Sequence, residues 1–168
     1  MAKTQVTKDL DNKTLIIEQT FDVPKEALWH AYADRAQFET WWGPVGWETN
    51  VKEFDFQPGG RIHYGMTCVD ESQGEWFGRE SWGLMEITSI DEPNSFTGRD
   101  YFSDADGTIN ENMPPQNFVV EFVDDDGKTR MVNRSIVGSV EQLEELIKMG
   151  MVEGFSSQLE KLEKLVTT

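Results

Sequence analysis

The fold is decided by residues 140–166, V-E-Q-L-E-E-L-I-K-M-G-M-V-E-G-F-S-S-Q-L-E-K-L-E-K-L-V. Apolar residues recur there at spacings of three and four, which is the period of one face of an α-helix. Ser139 and Gln142 have the spacing of a capping box at its start. The pattern predicts one amphipathic helix of roughly 26 residues, about 39 Å long at 1.5 Å per residue.

The chain before this helix is dominated by alternating apolar and polar residues, which indicate strands. We predict seven of them, at residues 14–21, 47–56, 61–68, 76–87, 95–102, 117–123 and 129–136. A single antiparallel sheet of about seven strands needs a cover for its apolar face. The terminal helix is the one element long enough to provide it, so we expect an α+β protein whose curved sheet wraps around that helix.

Two short helices are expected after the first strand. Asp22-Val23-Pro24 is typical of a helix start, and this helix should run to about Ala33. Asp34 and Gln37 then form a second capping signature that leads into Phe38. The chain has 168 residues and shows no repeat or linker. We therefore expect a single domain, 1–168, with its core at about 14–166.

The charge disfavours two classes of partner. Lys and Arg total 15 against 31 Asp and Glu, for a net charge of −16. Such a surface repels nucleic acids and anionic membranes. No stretch reaches the roughly 18 apolar residues of a membrane span, and residues 1–5 lack the apolar region of a secretory signal. Cys68 is the single cysteine, so no internal disulfide forms. We expect a cytoplasmic protein.

Several motifs carry a resemblance to a known family: F-D-V-P-K-E-A-L-W-H-A-Y-A-D (21–34), W-W-G-P (41–44), E-F-D-F-Q-P-G-G-R (53–61), Y-F-S-D (101–104) and the glycine pair of the last helix. Over about residues 15–166 the chain resembles the activator of heat-shock protein 90 ATPase homologue family. That family belongs to the START-like, Bet v 1-like (SRPBCC) helix-grip superfamily. The resemblance implies a helix-grip fold with an apolar cavity between the sheet and the long helix.

The superfamily includes lipid carriers, hormone receptors, cyclases and hydroxylase subunits, so its fold alone does not assign a function. The resemblance implies a protein that binds a small apolar or amphipathic molecule. An enzyme of the cyclase or dehydratase type in the same cavity is the alternative, and a protein-interaction module is a third. Chaperone activation ranks last as a hypothesis, because the namesake proteins are longer and engage the chaperone largely through a separate N-terminal domain.

Candidate ligand-binding residues are aromatic, methionine and apolar side chains of the core or its rim, which suit an irregular ligand, together with one asparagine. They are Trp42, Tyr64, Met66, Trp82, Phe118, Val120, Met131, Asn133, Met151 and Phe155. Met131 and Asn133 share a face of the last strand, but a slip of one residue would turn that face outward. Gly150 and Gly154, four apart in the helix, either leave room for a ligand or allow close packing.

No catalytic residue, metal ligand or cofactor is predicted. His30, His63 and Cys68 are too dispersed for a zinc site, and both histidines are expected at exposed or rim positions. Residues 104–110 resemble the middle of a calcium loop, but Phe102 and Met113 occupy the two end positions. A tight polar turn is the better interpretation.

Two further questions stay open at this point. Glu80, Glu86, Asp100 and Glu121 lie in predicted strands, where an inward carboxyl would have a raised pKa suited to acid–base chemistry. Nothing in the sequence distinguishes one of these four from the others. A homodimer through an exposed face that contains Trp41, Trp42 or Trp76 is a further hypothesis.

Overall fold

The computed structural model describes residues 4–168. Its strands are β1 Gln5–Asp9, β2 Thr14–Phe21, β3 Trp47–Phe54, β4 Arg61–Cys68, β5 Glu80–Asp91, β6 Ser95–Ser103, β7 Gln116–Asp125 and β8 Lys128–Ile136. Its helices are α1 Lys25–Ala33, α2 Arg35–Trp41, α3 Val140–Lys148 and α4 Met151–Thr167, with a 3-10 helix at Glu71–Trp76. None of the helices in the described part of the chain is long and apolar enough to cross a membrane.

The strands form one antiparallel sheet with the order β1-β2-β8-β7-β6-β5-β4-β3. The predicted helix-grip architecture, an α+β fold with a curved sheet and a C-terminal helix, is confirmed. The sheet has eight strands rather than about seven. The additional strand, Gln5–Asp9, lies at the sheet edge and is almost wholly exposed. Because neither of its faces is buried, its sequence lacks the alternation of apolar and polar residues that predicts a strand.

The two short helices begin and end close to their predicted positions. Asp34 ends α1 and caps α2, because its carboxylate accepts a hydrogen bond from the Ala36 N–H at 3.0 Å. Trp41 is one of the three tryptophans named in the homodimer hypothesis. Its side chain is fully buried, and its Nε1 donates to the carbonyl oxygen of Ala31 at 2.8 Å. A dimer face built on Trp41 is therefore excluded.

The C-terminal segment is not one continuous helix as predicted. Gly150, with φ of 92°, breaks it into α3 and α4. This left-handed conformation costs glycine little and other residues more. Both halves still direct apolar side chains to the same core, with Leu143 in α3 and Leu159 and Leu162 in α4 fully buried. The periodicity of the sequence therefore continues across the break and conceals it.

The fourth predicted strand also begins later than expected. Trp76 ends the 3-10 helix and keeps 51% of its surface exposed, while β5 begins at Glu80. Gly78, with φ of 84°, turns the chain between them, and its N–H donates to the carbonyl oxygen of Cys68 at 2.9 Å. Alternation in the sequence cannot distinguish this turn from the start of the strand.

Candidate functional site

The inner face of the sheet and the helices enclose a cavity of about 340 Å³, within the range of roughly 300 to 1,000 Å³ that is usual for small-molecule sites. Strands β4 to β8 form one wall, while Tyr32, Trp42 and Pro44 and the two C-terminal helices form the other. Met149 belongs to the lining yet keeps 59% of its surface exposed. The mouth of the cavity therefore lies beside the break between α3 and α4.

Strand alternation decides which side chains reach the cavity. Every second residue of a strand points to the same face, so Tyr64 and Met66 enter from β4 and Phe118 and Val120 enter from β7. Gly83 makes room for one of them, because a Cβ there would lie 2.4 Å from the Tyr64 hydroxyl. The wall is thus mainly aromatic and apolar, with polar side chains at a few positions.

Eight of the ten candidate ligand-binding residues line this cavity. They are Trp42, Tyr64, Met66, Phe118, Val120, Asn133, Met151 and Phe155. Asn133 faces inward, which is the first of the two registers considered for β8. That these residues contact a ligand stays a prediction.

The other two candidates, Trp82 and Met131, do not line it. Met131 is 1% exposed and belongs to the packed core. Trp82 borders a smaller cavity of about 60 Å³. Its ring packs against Gly65, where an added Cβ would lie 2.5 Å from the nearest ring atom. Gly65 follows the inward Tyr64, so the Trp82 ring lies on the outer face of the sheet, where the Lys52 ammonium is 4.7 Å from its centroid.

The outer face also holds His63, which is 5% exposed rather than at an exposed or rim position. The turn after β6 covers it, since His63 Nε2 is 3.0 Å from the carbonyl oxygen of Asp104. The Asp104 carboxylate in turn accepts hydrogen bonds from the N–H groups of Asp106 and Thr108, at 2.9 Å each. This is the tight polar turn expected there.

Asp100 is the carboxyl group of the cavity. The Tyr64 hydroxyl donates to it, 3.0 Å from one carboxylate oxygen and 3.2 Å from the other. Burial raises the pKa of Asp100 to about 7, and the hydrogen bond from Tyr64 opposes that rise. Burial, followed by the charge of Asp100, raises the pKa of Tyr64 well above its usual value. Asp100 can therefore gain or lose a proton near neutral pH.

The other three acids considered in the strands do not line the cavity. Glu80 is exposed, Glu121 pairs with Arg134 and Glu86 lies across from Arg61 in the strand pairing. What distinguishes Asp100 is its position in the alternation of β6, which places it on the inner face of the sheet with Phe96 and Phe102. The strand register thus distinguishes Asp100 from the other three acids, which the sequence alone could not do.

Two amide groups add hydrogen-bond donors. Asn133 Nδ2 and Gln158 Nε2 are buried in the lining and have no hydrogen-bond partner among residues 4–168. Burial raises the pKa of the Tyr32 hydroxyl, and the nearby Asn133 amide lowers it in part. The geometry of the two side chains is not that of a hydrogen bond. Gln158 Oε1 accepts from the Gly43 N–H at 2.7 Å, which fixes the orientation of this amide.

Gln158 was missed by the sequence analysis. It lies four residues after Gly154, hence on the same face of α4, and this spacing was the available signal. Gly154 itself is not tightly packed, because a Cβ there would meet no atom nearer than Pro44 Cγ at 3.7 Å. Close packing therefore does not explain this glycine, and its missing side chain enlarges the cavity.

Comparisons with known proteins agree with this architecture. The model of the family described as Activator of Hsp90 ATPase homolog 1-like protein matches residues 22–167. Protein Ms6760 from Mycobacterium smegmatis is 36% identical, with 98% of this chain and 96% of that chain covered and a TM-score of 0.87.

Two further solved structures are similar. A protein from Arthrobacter aurescens is 28% identical, with coverage of 97% and 91% and a TM-score of 0.86. A protein from Staphylococcus epidermidis is 26% identical, with coverage of 97% and 93% and a TM-score of 0.81. No curated protein matches the chain.

Proposed function

We propose a specific function for this chain, which belongs to the Activator of Hsp90 ATPase homolog 1-like family. The fold of that family supports a ligand-binding or interaction module in general. The protein binds a small apolar or amphipathic molecule between its sheet and its C-terminal helices. It does so in the cytoplasm, where a free, buried cysteine such as Cys68 suits the reducing conditions.

The observation that carries this proposal is the pair of unpartnered amide donors in the cavity. A buried donor without a partner costs about 1 to 3 kcal/mol, and native proteins contain few of them. Asn133 Nδ2 and Gln158 Nε2 are two such groups in one lining. A ligand that carries acceptor oxygens would satisfy them while its carbon skeleton contacts the aromatic and methionine wall.

The cavity volume supports the same conclusion. A cavity of about 340 Å³ lies between the sheet and the helices, and large aromatic side chains line it without filling it. Closely packed interiors leave few voids larger than a water molecule. A packed interaction module has no need of such a space.

Native mass spectrometry of the purified protein, followed by thermal-shift screening with fatty acids, flavonoids, polyketides and sterols, tests the proposal. A molecule that binds only the folded state adds RT ln(1 + [L]/Kd) to its stability. Gly154→Leu should occupy part of the cavity and reduce or abolish both the bound mass and the shift. Glu160→Leu places the same side chain on the exposed face of α4 and should abolish neither. Equal binding by both variants would reject the cavity as the site.

An enzyme in the same cavity is the second candidate, and Asp100 is the observation that favours it. A carboxyl group whose pKa burial raises to about 7 is suited to general acid–base catalysis at neutral pH. Ligands found by mass spectrometry can be incubated with the protein and examined for loss of water or ring closure. Turnover that disappears in Asp100→Asn, with binding retained, would identify an enzyme.

A further inference from the structure

The charge of the cavity wall indicates which head groups a ligand can carry. This inference rests on the proposed function. Asp100 is the single acid in the lining, and among residues 4–168 no Lys, Arg or His side chain contributes to it. The whole protein has a net charge of −16. An anionic head group would lose its hydration there without gaining a counter-charge. The lining therefore disfavours carboxylates and phosphates.

Asp100 retains acceptor capacity for a ligand. Tyr64 donates to the carboxylate, but an ionised carboxylate offers about four acceptor sites. Asp100 is half-buried rather than fully buried, and it lines the cavity, so part of its surface faces that space. A donor group of a ligand can thus reach the carboxylate directly.

Aromatic rings accompany this carboxylate. The rings of Trp42 and Tyr64 have centroids 5.7 Å apart, and Phe102 lies two residues from Asp100 on the same strand face. The faces of aromatic rings attract organic cations, most strongly when the site is desolvated. A carboxylate with aromatic rings around it and no competing cation is a setting for an ammonium group.

We propose that the cavity binds an amphipathic organic amine, with its ammonium group beside Asp100, Trp42 and Tyr64 and its carbon skeleton along the apolar wall. The amides of Asn133 and Gln158 donate to an oxygen elsewhere on the same molecule when it carries one. This arrangement uses the carboxylate of Asp100 and both unpartnered amides of the lining, and it gives the ligand the opposite charge to the protein.

Binding of the cation is coupled to the ionisation of Asp100, because an ammonium group pairs with the carboxylate and not with the protonated acid. The titratable groups facing Asp100 are Tyr64 in β4 and, farther along the lining, Tyr32 in α1. Burial raises the pKa of both hydroxyls, so they stay neutral. Lys161 in α4 lies outside the lining and donates to the carbonyl oxygens of Gly43 and Trp47.

One proton leaves Asp100 for each cation bound while the acid is protonated. Since its pKa is about 7, the affinity for an amine should rise about tenfold between pH 6 and pH 8. Alkylamines, like lysine, have pKa values near 10.4 and keep their charge over this interval.

Calorimetric titration with matched probes tests the proposal. Two skeletons, decyl and 3-phenylpropyl, are each used as amine, alcohol and carboxylate below the concentrations at which they aggregate. At pH 8 we expect at least one amine to bind about tenfold or more tightly than its alcohol, and each carboxylate to bind most weakly. Asp100→Asn should remove the preference for the amine and leave the affinity for the alcohol within about twofold.

Asp126→Asn is the matched control for general attraction of cations. It also removes one negative charge, but from an exposed turn between β7 and β8, and it should leave the preference for the amine intact. The pH profile of the unmodified protein provides a second readout that does not depend on the folding of any variant.

Any one of the following results would overturn the proposal. One is a carboxylate that binds as tightly as its amine, another is an amine preference that survives Asp100→Asn, and the third is an affinity that does not change with pH. If the alcohols bind and the amines bind no better, the inference about charge fails and the proposed function stands. If neither these probes nor the screened compounds bind, both fail.

Discussion

Tyr64 reaches across a whole strand to donate a hydrogen bond to Asp100, over 3.0 Å. Tyr64 lies in β4 and Asp100 in β6, and β5 runs between them. The side chain can cross because the residue beneath it is Gly83, where a Cβ would lie 2.4 Å from the Tyr64 hydroxyl. The polar pair at the cavity wall thus depends on a glycine that takes no part in it.

Gly83→Ala should therefore displace Tyr64 and separate the pair. Overpacking of this kind costs about 1 to 3 kcal/mol, and loss of the hydrogen bond should raise the pKa of Asp100 further, since Tyr64 lowers it. Denaturant unfolding and an NMR titration of the carboxyl carbon measure the two effects.

Gly65→Ala is the matched control for this experiment. The added methyl group would meet the Trp82 ring at 2.5 Å, on the outer face of the same sheet. It should lower the free energy of unfolding by a similar amount without changing the pKa of Asp100. A Gly83→Ala variant as stable as the unmodified protein would contradict this account of the pair.

Asp100 should also make the stability of the protein depend on pH in an identifiable way. Folding raises its pKa from 3.8 to about 7, so between these values the folded state holds a proton that the unfolded state has lost. The unfolding free energy contributed by this group therefore falls as pH rises from about 4 to 7 and is constant above that.

Asp100→Asn removes this contribution and leaves an acceptor for the Tyr64 hydroxyl. The unfolding free energy of the variant relative to the unmodified protein should increase by about 2 kcal/mol between about pH 5.5 and pH 8. Denaturant titrations at the two pH values measure it, and Asp126→Asn provides the reference. An unchanged difference would mean that the pKa of Asp100 is not raised in the folded state.

The sequence predicted the sheet and its helical cover, because these depend on alternation and helical period, which are local. Residues 14–21 and 61–68 were predicted with the bounds that the structure has. The edge strand Gln5–Asp9 was missed because exposure on both faces leaves no pattern. The break at Gly150 was missed because the apolar face continues beyond it.

The candidate site was predicted less completely, for a reason of register. Whether Asp100 or Asn133 faces inward depends on how β6 and β8 pair with their neighbours, and a shift of one residue exchanges the faces. Trp82 was assigned to the cavity on residue type alone. The Asp100–Tyr64 pair joins residues 36 positions apart in the chain, and no local pattern predicts such a contact.

Gly150 and Gly154, which both line the cavity, should respond in opposite ways to alanine. Gly150→Ala forces a left-handed conformation, with φ of 92°, on a residue with a Cβ and should destabilise the fold by about 1 kcal/mol. Gly154→Ala lies inside α4, and its methyl group meets only Pro44 Cγ at 3.7 Å. Removing a glycine from a helix interior should stabilise the fold by up to about 1 kcal/mol.

Thermal unfolding of the two alanine variants checks this pair of predictions. If Gly150→Ala is as stable as the unmodified protein, then α3 and α4 can join into one continuous helix at little cost. If Gly154→Ala is destabilised, this face of α4 packs more closely than the structure indicates.

Asn133 and Gln158 each present an unpartnered amide donor, yet leucine at the two positions should have different effects. Asn133→Leu removes a donor that is unsatisfied in the free protein, so we expect the free energy of unfolding to change by less than about 1 kcal/mol. Gln158→Leu also removes the acceptor of the Gly43 N–H, which is 2.7 Å away, and should cost about 1 to 3 kcal/mol.

For any ligand with an acceptor oxygen, loss of the Asn133 donor should weaken binding by about three- to tenfold, the value of one hydrogen bond. Denaturant unfolding and titration of a ligand identified by native mass spectrometry measure the two effects separately. Unchanged affinity in Asn133→Leu would show that this amide does not contact the ligand, whereas a large loss of stability would show that it already has a partner in the free protein.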